Sequence, residues 1–152
     1  MIDTMQPPDV ANAERFERVG ISADAQTASD TRDEFADWLR ECFALDPIRS
    51  SDVILAINEA LANCAEFAYL GRPDTGTMDV LAWHNAVEST ITVLVSDQGS
   101  WRTPLVPRVR TRGRGIPLME ALSDRASIEA SDHGTRVKLQ WTDIARWAPS
   151  AH

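Results

Sequence analysis

A run of β-branched and aliphatic residues at 90–95 constrains the fold more than any other part of this sequence. Such a run is typical of a buried strand. A second apolar stretch at 78–84 precedes it and is separated from it by the short segment 85–89. Because a loop of that length joins antiparallel neighbours, the sequence predicts a β-hairpin over about 78–95.

A strand and a helix are predicted before that hairpin. Residues 15–21 alternate between polar and apolar side chains, which indicates the first strand. Ser29-Asp30 is expected to cap a helix that runs to about Leu45. Asp46-Pro47 follows, and we expect this pair to break the helix.

A second helix is predicted from Asp52 to about Leu70, with Ser50 or Ser51 as its cap and Gly71 at its end. Its apolar residues recur at helical spacing and should face the core. They are Val53, Ile57, Ala60, Leu61, Cys64 and Ala68.

The C-terminal half predicts a long loop at about 98–114, a short helix from near Gly115 to Leu122, and strands near 126–131 and 135–141. The order β-α-α-β-β-loop-α-β-β predicts an α+β two-layer sandwich. Its sheet should be mixed and mostly antiparallel, with helices on one face. We expect one domain over 13–145, a flexible tail over 1–12 and a C-terminal tail over 146–152.

Charge is distributed unevenly along the chain. The net charge is −8, yet the segment 98–115 carries five basic residues and no acidic one: Arg102, Arg108, Arg110, Arg112 and Arg114. Overall acidity argues against non-specific nucleic-acid binding, whereas a local arginine cluster beside glycines indicates a compact anion such as a nucleotide phosphate. A solvated arginine-rich loop explains the same run.

Targeting and redox signals favour a cytoplasmic protein. The N-terminal residues lack the basic and apolar regions of a signal peptide. No apolar run reaches the length of a membrane span. The two cysteines, Cys42 and Cys64, lie in apolar helical contexts without zinc spacing, so we expect two buried thiols.

The second predicted helix carries Glu59 and Asn63, which lie four residues apart and share one helical face. An asparagine side-chain oxygen suits Mg²⁺, which takes few protein ligands beside substrate phosphates. A carboxylate one turn away is placed to act as a general base. Taken alone, this pair is weak evidence, and a solvated helix stripe is the better explanation of it.

Three further motifs follow along the chain. Asp97 and Gly99 close the strand at 90–95, and such a carboxylate can accept a hydrogen bond from the amino group of a base. Residues 112–115, Arg-Gly-Arg-Gly, precede a helix and outline a phosphate site, without matching a P-loop or a dinucleotide fingerprint. Thr135 follows Gly134 and offers a hydroxyl to a base or an ordered water. In isolation, ordinary turns account for the first and the third of these motifs.

Taken in order, these motifs resemble the GHKL (histidine-kinase-like) ATPase superfamily, and the resemblance covers about residues 14–142. The stretch at 52–63, DVILAINEALAN, looks like that of RsbW-type anti-sigma factors, which are serine-protein kinases. The resemblance implies the Bergerat ATPase fold, with ATP and Mg²⁺ as ligands. It also implies roles for single residues: Asn63 would hold Mg²⁺, Glu59 would be the catalytic base, Asp97 would bind the adenine amino group, Gly99 would leave clearance and Thr135 would lie near the adenine.

The resemblance places the remaining contacts in a lid. Gly113 and Gly115 would contact the phosphates, and an arginine close before them would reach the γ-phosphate, with the register open among Arg110, Arg112 and Arg114. Two positions depart from the family pattern. Phe67 stands where the family often has histidine, and Pro117 follows the glycine pair and removes one backbone N–H near the phosphates.

The resemblance also implies partners. Proteins of this type form homodimers, sequester a sigma factor and phosphorylate a serine on an anti-anti-sigma partner of the STAS type. We therefore expect an anti-sigma factor with Mg-ATP-dependent serine kinase activity that contacts neither nucleic acid nor membrane. The alternative is a regulatory module that binds a sigma factor or another regulator without phosphotransfer, with or without ATP.

Overall fold

The computed structural model describes residues 15–65, 76–98, 117–131 and 134–147. The helices and strands of this part follow one another as β1 (Arg15–Ser22), α1 (Ala25–Cys42), β2 (Phe43–Ala44), α2 (Pro47–Asn63), β3 (Thr77–Asn85), β4 (Thr90–Asp97), α3 (117–122), β5 (Arg125–Ser131), β6 (Gly134–Trp141) and β7 (Ala145–Arg146).

Five of these strands form one sheet in the order β1-β3-β4-β6-β5. Its four neighbouring pairs are all antiparallel, including the β3–β4 hairpin. The predicted α+β fold with a mostly antiparallel sheet is therefore confirmed. A second, two-stranded sheet joins β2 to β7, and the sequence analysis did not predict it.

The core lies between the helices and one face of this sheet. Alternate residues on the central strands line up across the sheet, as in the rows Val80–Val95–Val137 and Ala82–Val93–Leu139. These side chains form one buried cluster with apolar residues of α1 and α2. Of the six apolar positions of the second helix that were predicted to face the core, Ala68 lies outside the described residues. The other five are buried: Val53, Ile57, Ala60, Leu61 and Cys64.

Both long helices begin earlier than the sequence predicted, because aspartates cap them. Asp24 accepts a hydrogen bond of 2.7 Å from the Thr27 backbone amide, so α1 starts at Ala25 and not after Ser29-Asp30. That backbone bond, together with the Thr27 hydroxyl, lowers the pKa of Asp24. Asp46 caps α2 in the same way, with 2.7 Å to the Arg49 amide.

The Asp46-Pro47 pair therefore starts the second helix, although the sequence analysis treated it only as a break. Proline is accommodated in the first turn, where a backbone N–H has no helical partner. Ser50 and Ser51, predicted as caps, lie inside α2. The helix ends at Asn63, residues 64 and 65 form a π-type turn, and 66–70 lie outside the described residues. In the described part, no helix is long and apolar enough to cross a membrane.

A cluster of polar side chains connects the start of α2 to the sheet through hydrogen bonds. Asp124, just before β5, accepts hydrogen bonds from the Thr142 backbone amide at 2.7 Å and from the Arg49 guanidinium at 3.0 Å. Partial burial by itself raises the pKa of Asp124. The bonds from Thr142 and Arg49 outweigh that effect, so the pKa is lowered.

Replacing Asp124 by alanine should lower the free energy of unfolding by about 1 kcal/mol, since the side chain is partly solvent-exposed. A carboxylate whose pKa is lowered on folding stabilises the protein above its unfolded pKa, and this contribution is lost as the pH falls through the folded pKa. Urea unfolding of Asp124→Ala and wild type should therefore converge in acid. Asp37→Ala, at an exposed position within α1, is the control and should not destabilise. A stability difference that is equal at neutral and acidic pH would contradict this assignment.

Candidate functional site

The candidate site lies where the C-terminal end of α2 meets the end of β4 and the start of β6. Asn63 is the last residue of α2 and is only 5 % exposed. Glu59 precedes it by one helical turn and is half-buried. The two residues therefore lie one turn apart at the C-terminal end of α2.

Asp97 reaches the same place from the sheet. It is the last residue of β4, and it is buried, with 4 % exposure. Because side chains alternate along a strand, Asp97 shares the helix-facing side with Val93 and Val95. The Cys64 thiol donates a hydrogen bond to Asp97 Oδ2 at 3.3 Å, so the end of α2 is joined directly to this carboxylate.

Thr135 and Gly134 complete the site from β6. Thr135 is the cross-strand partner of Asp97 and is also buried. Gly134 has φ of +141°, and a Cβ atom at this position would overlap the Asp97 carbonyl oxygen. A glycine is therefore required for β6 to approach the end of β4 so closely.

Two of these buried side chains carry a polar atom that has no hydrogen-bond partner in the part of the chain that the structure describes. Asn63 Nδ2 and Thr135 Oγ1 make no hydrogen bond within the described residues, and both atoms are inaccessible. Leaving a buried polar atom unpaired costs about 1–3 kcal/mol, so such atoms call for an explanation. Four others in the described part lie away from this cluster: Trp38 Nε1, Arg49 Nε, Ser50 Oγ and His84 Nδ1. Thr135 pairs with Asp97 across the strands, and Asn63 precedes the residue that bonds Asp97, so two unpaired buried atoms on these residues indicate a polar ligand.

The comparison with protein families identifies the family of the chain. Residues 21–141 match the model of the histidine kinase-like ATPase domain. The chain belongs to this family. Its ATPase domain is therefore of the GHKL superfamily, as the order of the motifs indicated.

A comparison with solved structures agrees on the fold. The chain is similar to the crystal structure of the RsbU and RsbW domains of Rv1364c from Mycobacterium tuberculosis, with a TM-score of 0.65 and 23 % identity. The match covers 89 % of this chain and 34 % of that one. The chain thus spans about a third of the length of the protein it matches, and this likeness establishes the fold alone.

The residues present fit the ligand that an ATPase domain implies. A buried carboxylate is the acceptor that an amino group of a base needs. A side-chain amide supplies an oxygen for a divalent cation. Rotation of the Asn63 amide by a half-turn about its last torsion places the oxygen where the unpartnered nitrogen lies. Within the described ranges, no group of three or more His, Cys, Asp or Glu side chains is placed to bind a metal.

The structure pairs Asp97 with Thr135 and joins Asp97 to Cys64, the residue that follows Asn63. Glu59 lies one helical turn before Asn63. The remaining predicted residues lie outside the described part: Gly99, Arg110, Arg112, Gly113, Arg114 and Gly115. The sequence analysis missed the contributions of Cys64 and Gly134. It assigned Cys64 to the apolar face of the helix and Gly134 to a turn, and neither assignment indicates contact with Asp97.

Gly134→Ala should damage the site and the sheet together. The added methyl group overlaps the Asp97 carbonyl, and the backbone conformation is unfavourable for alanine, so we expect a loss of about 2 kcal/mol or more of stability and weakened ATP binding. Gly20→Ala is the matched control: its φ is +68°, but apart from its own chain neighbours no atom of the described residues lies within 4 Å of the new methyl group. It should cost about 1 kcal/mol and leave ATP affinity unchanged. Thermal unfolding and nucleotide calorimetry check both. Equal effects of the two substitutions would contradict the close-approach argument.

Proposed function

We propose that this ATPase domain is an anti-sigma factor with ATP-dependent protein serine kinase activity. It binds a sigma factor and phosphorylates a serine of a STAS-type anti-anti-sigma partner. The observation that carries the proposal is the buried cluster of Asn63, Asp97 and Thr135, with two unpartnered polar atoms, in a chain of the histidine kinase-like ATPase family. The partner classes rest on the sequence resemblance and are supported by the fold likeness to a structure that contains an RsbW domain.

Asp97 selects the base in this proposal. Its carboxylate accepts a hydrogen bond from the adenine amino group, and Thr135 lies beside it across the strand pair. Guanine presents a carbonyl at the corresponding edge. That carbonyl would leave the buried carboxylate facing another acceptor, at a cost of about 1–3 kcal/mol or more.

Asn63 holds Mg²⁺ through its side-chain oxygen. The cation neutralises charge on the phosphates when it is bound. We assign the phosphate contacts to Gly113 and Gly115 and to an arginine among positions 110, 112 and 114, which lie outside the described residues. Backbone amides at a helix start and guanidinium groups both stabilise phosphoryl charge.

Glu59 acts as the general base. Helical spacing places it on the face that carries Asn63, next to the metal site. It orients the hydroxyl of the partner's serine and accepts its proton as the serine oxygen bonds to the γ-phosphorus. The bond from that phosphorus to the β,γ-bridging oxygen breaks, and ADP leaves.

Replacing Asn63 by alanine should abolish Mg²⁺-dependent ATP binding while leaving the fold intact. The Asn63 nitrogen already lacks a partner, so its removal should lower the free energy of unfolding by no more than about 1 kcal/mol. Calorimetric titration of ATP with and without Mg²⁺ measures the first effect, and thermal unfolding the second.

Asn58→Ala is the matched control on the same helix. Asn58 accepts a 3.4 Å hydrogen bond from Arg32 and lies outside the proposed site, so its loss should leave ATP affinity unchanged. Retention of Mg²⁺-dependent affinity in Asn63→Ala would refute the proposed metal ligand.

Glu59→Ala should bind ATP normally and lose phosphotransfer by about 10²-fold or more, the usual range for a general base. The measurement is transfer of labelled phosphate from ATP to a purified STAS-domain protein encoded by the same genome. Full transfer by this variant would show that Glu59 is not the base. A wild-type protein that binds ATP and captures a sigma factor but transfers no phosphate would favour the non-catalytic binding module.

A further inference from the structure

Cys64 occupies the position next to the proposed metal ligand, and it contacts the proposed adenine acceptor. Its thiol is 3 % exposed and lies 3.3 Å from Asp97 Oδ2. The contact joins residues that are 33 positions apart and belong to different layers of the sandwich. It is therefore a tertiary hydrogen bond inside the site.

A thiol is a weak donor, but its acceptor here is a carboxylate in a buried environment. Low local polarity strengthens such a bond, because water does not compete for either partner. The bond also restricts rotation of the carboxylate about its side-chain torsions. When the carboxylate is already oriented, a base that directs one amino hydrogen at it binds without the entropic cost of ordering that side chain.

We propose that Cys64 is a positioning residue for nucleotide recognition, which holds the Asp97 carboxylate in the orientation that accepts the purine amino group. This inference rests on the proposed role of Asp97. It assigns to Cys64 a function beyond filling the core, where an alanine or valine would pack without donating a hydrogen bond.

Cys42 provides an internal comparison. Neither cysteine forms a disulfide, but Cys42 is half-buried at the end of α1, and α1 carries none of the proposed site residues. Removing Cys42 should leave nucleotide binding unchanged. A Cys42→Ala background also leaves Cys64 as the one thiol of the chain, because the sequence contains two cysteines.

The first test observes the hydrogen bond itself. In the Cys42→Ala background, the infrared S–H stretching band of Cys64 should lie at the lower frequency of a hydrogen-bonded thiol. Asp97→Asn replaces the carboxylate by a weaker acceptor and should move the band to higher frequency. This measurement requires no nucleotide. A band at the frequency of a thiol without a hydrogen bond, or a band that Asp97→Asn does not shift, overturns the proposal.

The second test separates positioning from packing. Calorimetry compares ATP with purine riboside 5′-triphosphate, which lacks the amino group, on the wild type, Cys64→Ala and Cys64→Ser. Cys64→Ala should weaken ATP binding about fivefold, the typical effect of one hydrogen bond, and leave the affinity for the purine analogue unchanged. Cys64→Ser keeps a donor and should restore most of the ATP affinity.

Each other outcome has a defined meaning. Unchanged ATP affinity in Cys64→Ala, or equal loss for both nucleotides, overturns the positioning role while leaving the proposed function in place. If the wild type binds no ATP, the proposed function fails and this inference fails with it. If Cys64→Ala does not fold, Cys64→Ser and the infrared band decide the question. Cys64→Ser retains an O–H donor, so loss of its preference for ATP over the purine analogue also contradicts the proposal.

Discussion

The register of β4 against its two neighbours is the constraint on which the site depends. Because side chains alternate along a strand, the register that buries Val93 and Val95 against the helices also turns Asp97 toward them. The same register sets Thr135 directly opposite. A slip by one residue would expose the apolar rows and turn the carboxylate to the other face, so the packing free energy of the core also holds the site in place.

The site is built at the expense of local stability. A carboxylate, an amide and a hydroxyl are buried at the end of an otherwise apolar layer, and two of them have an atom without a partner among the described residues. Selection for the stability of the core alone would favour aliphatic side chains at these positions. Their presence is consistent with a ligand that supplies the missing hydrogen bonds, and ligand binding would then also stabilise the folded domain.

Prediction from the sequence succeeded where a periodic pattern is long. The β-branched run ending at Asp97 and the apolar spacing of α2 each extend over enough residues to define a face, and the structure confirms both. Helix starts were harder, since serine and aspartate residues near each start compete as caps. Asp46-Pro47 is compatible with both a helix stop and a helix start, because proline is tolerated in a first turn.

Long-range contacts and very short elements could not be predicted from local patterns. The two-residue strands β2 and β7 are too short to show alternation. The Cys64–Asp97 bond depends on how α2 packs over the sheet, and local spacing favoured a simple core thiol. The requirement for glycine at 134 arises from the neighbouring strand, so the sequence of the turn itself does not reveal it.

The pairing of β2 with β7 has a consequence for how the protein is made. Phe43 and Ala44, between the two long helices, pair with Arg146 and Ala145, and the Trp147 side chain donates to the Arg40 carbonyl at the end of α1. The segment between α1 and α2 sets their relative placement. Its pairing thus depends on residues that are translated about a hundred positions later. Contacts of such long sequence separation form slowly. During synthesis on the ribosome, the surroundings of the helix that carries Glu59 and Asn63 are therefore complete only after almost the entire domain has emerged.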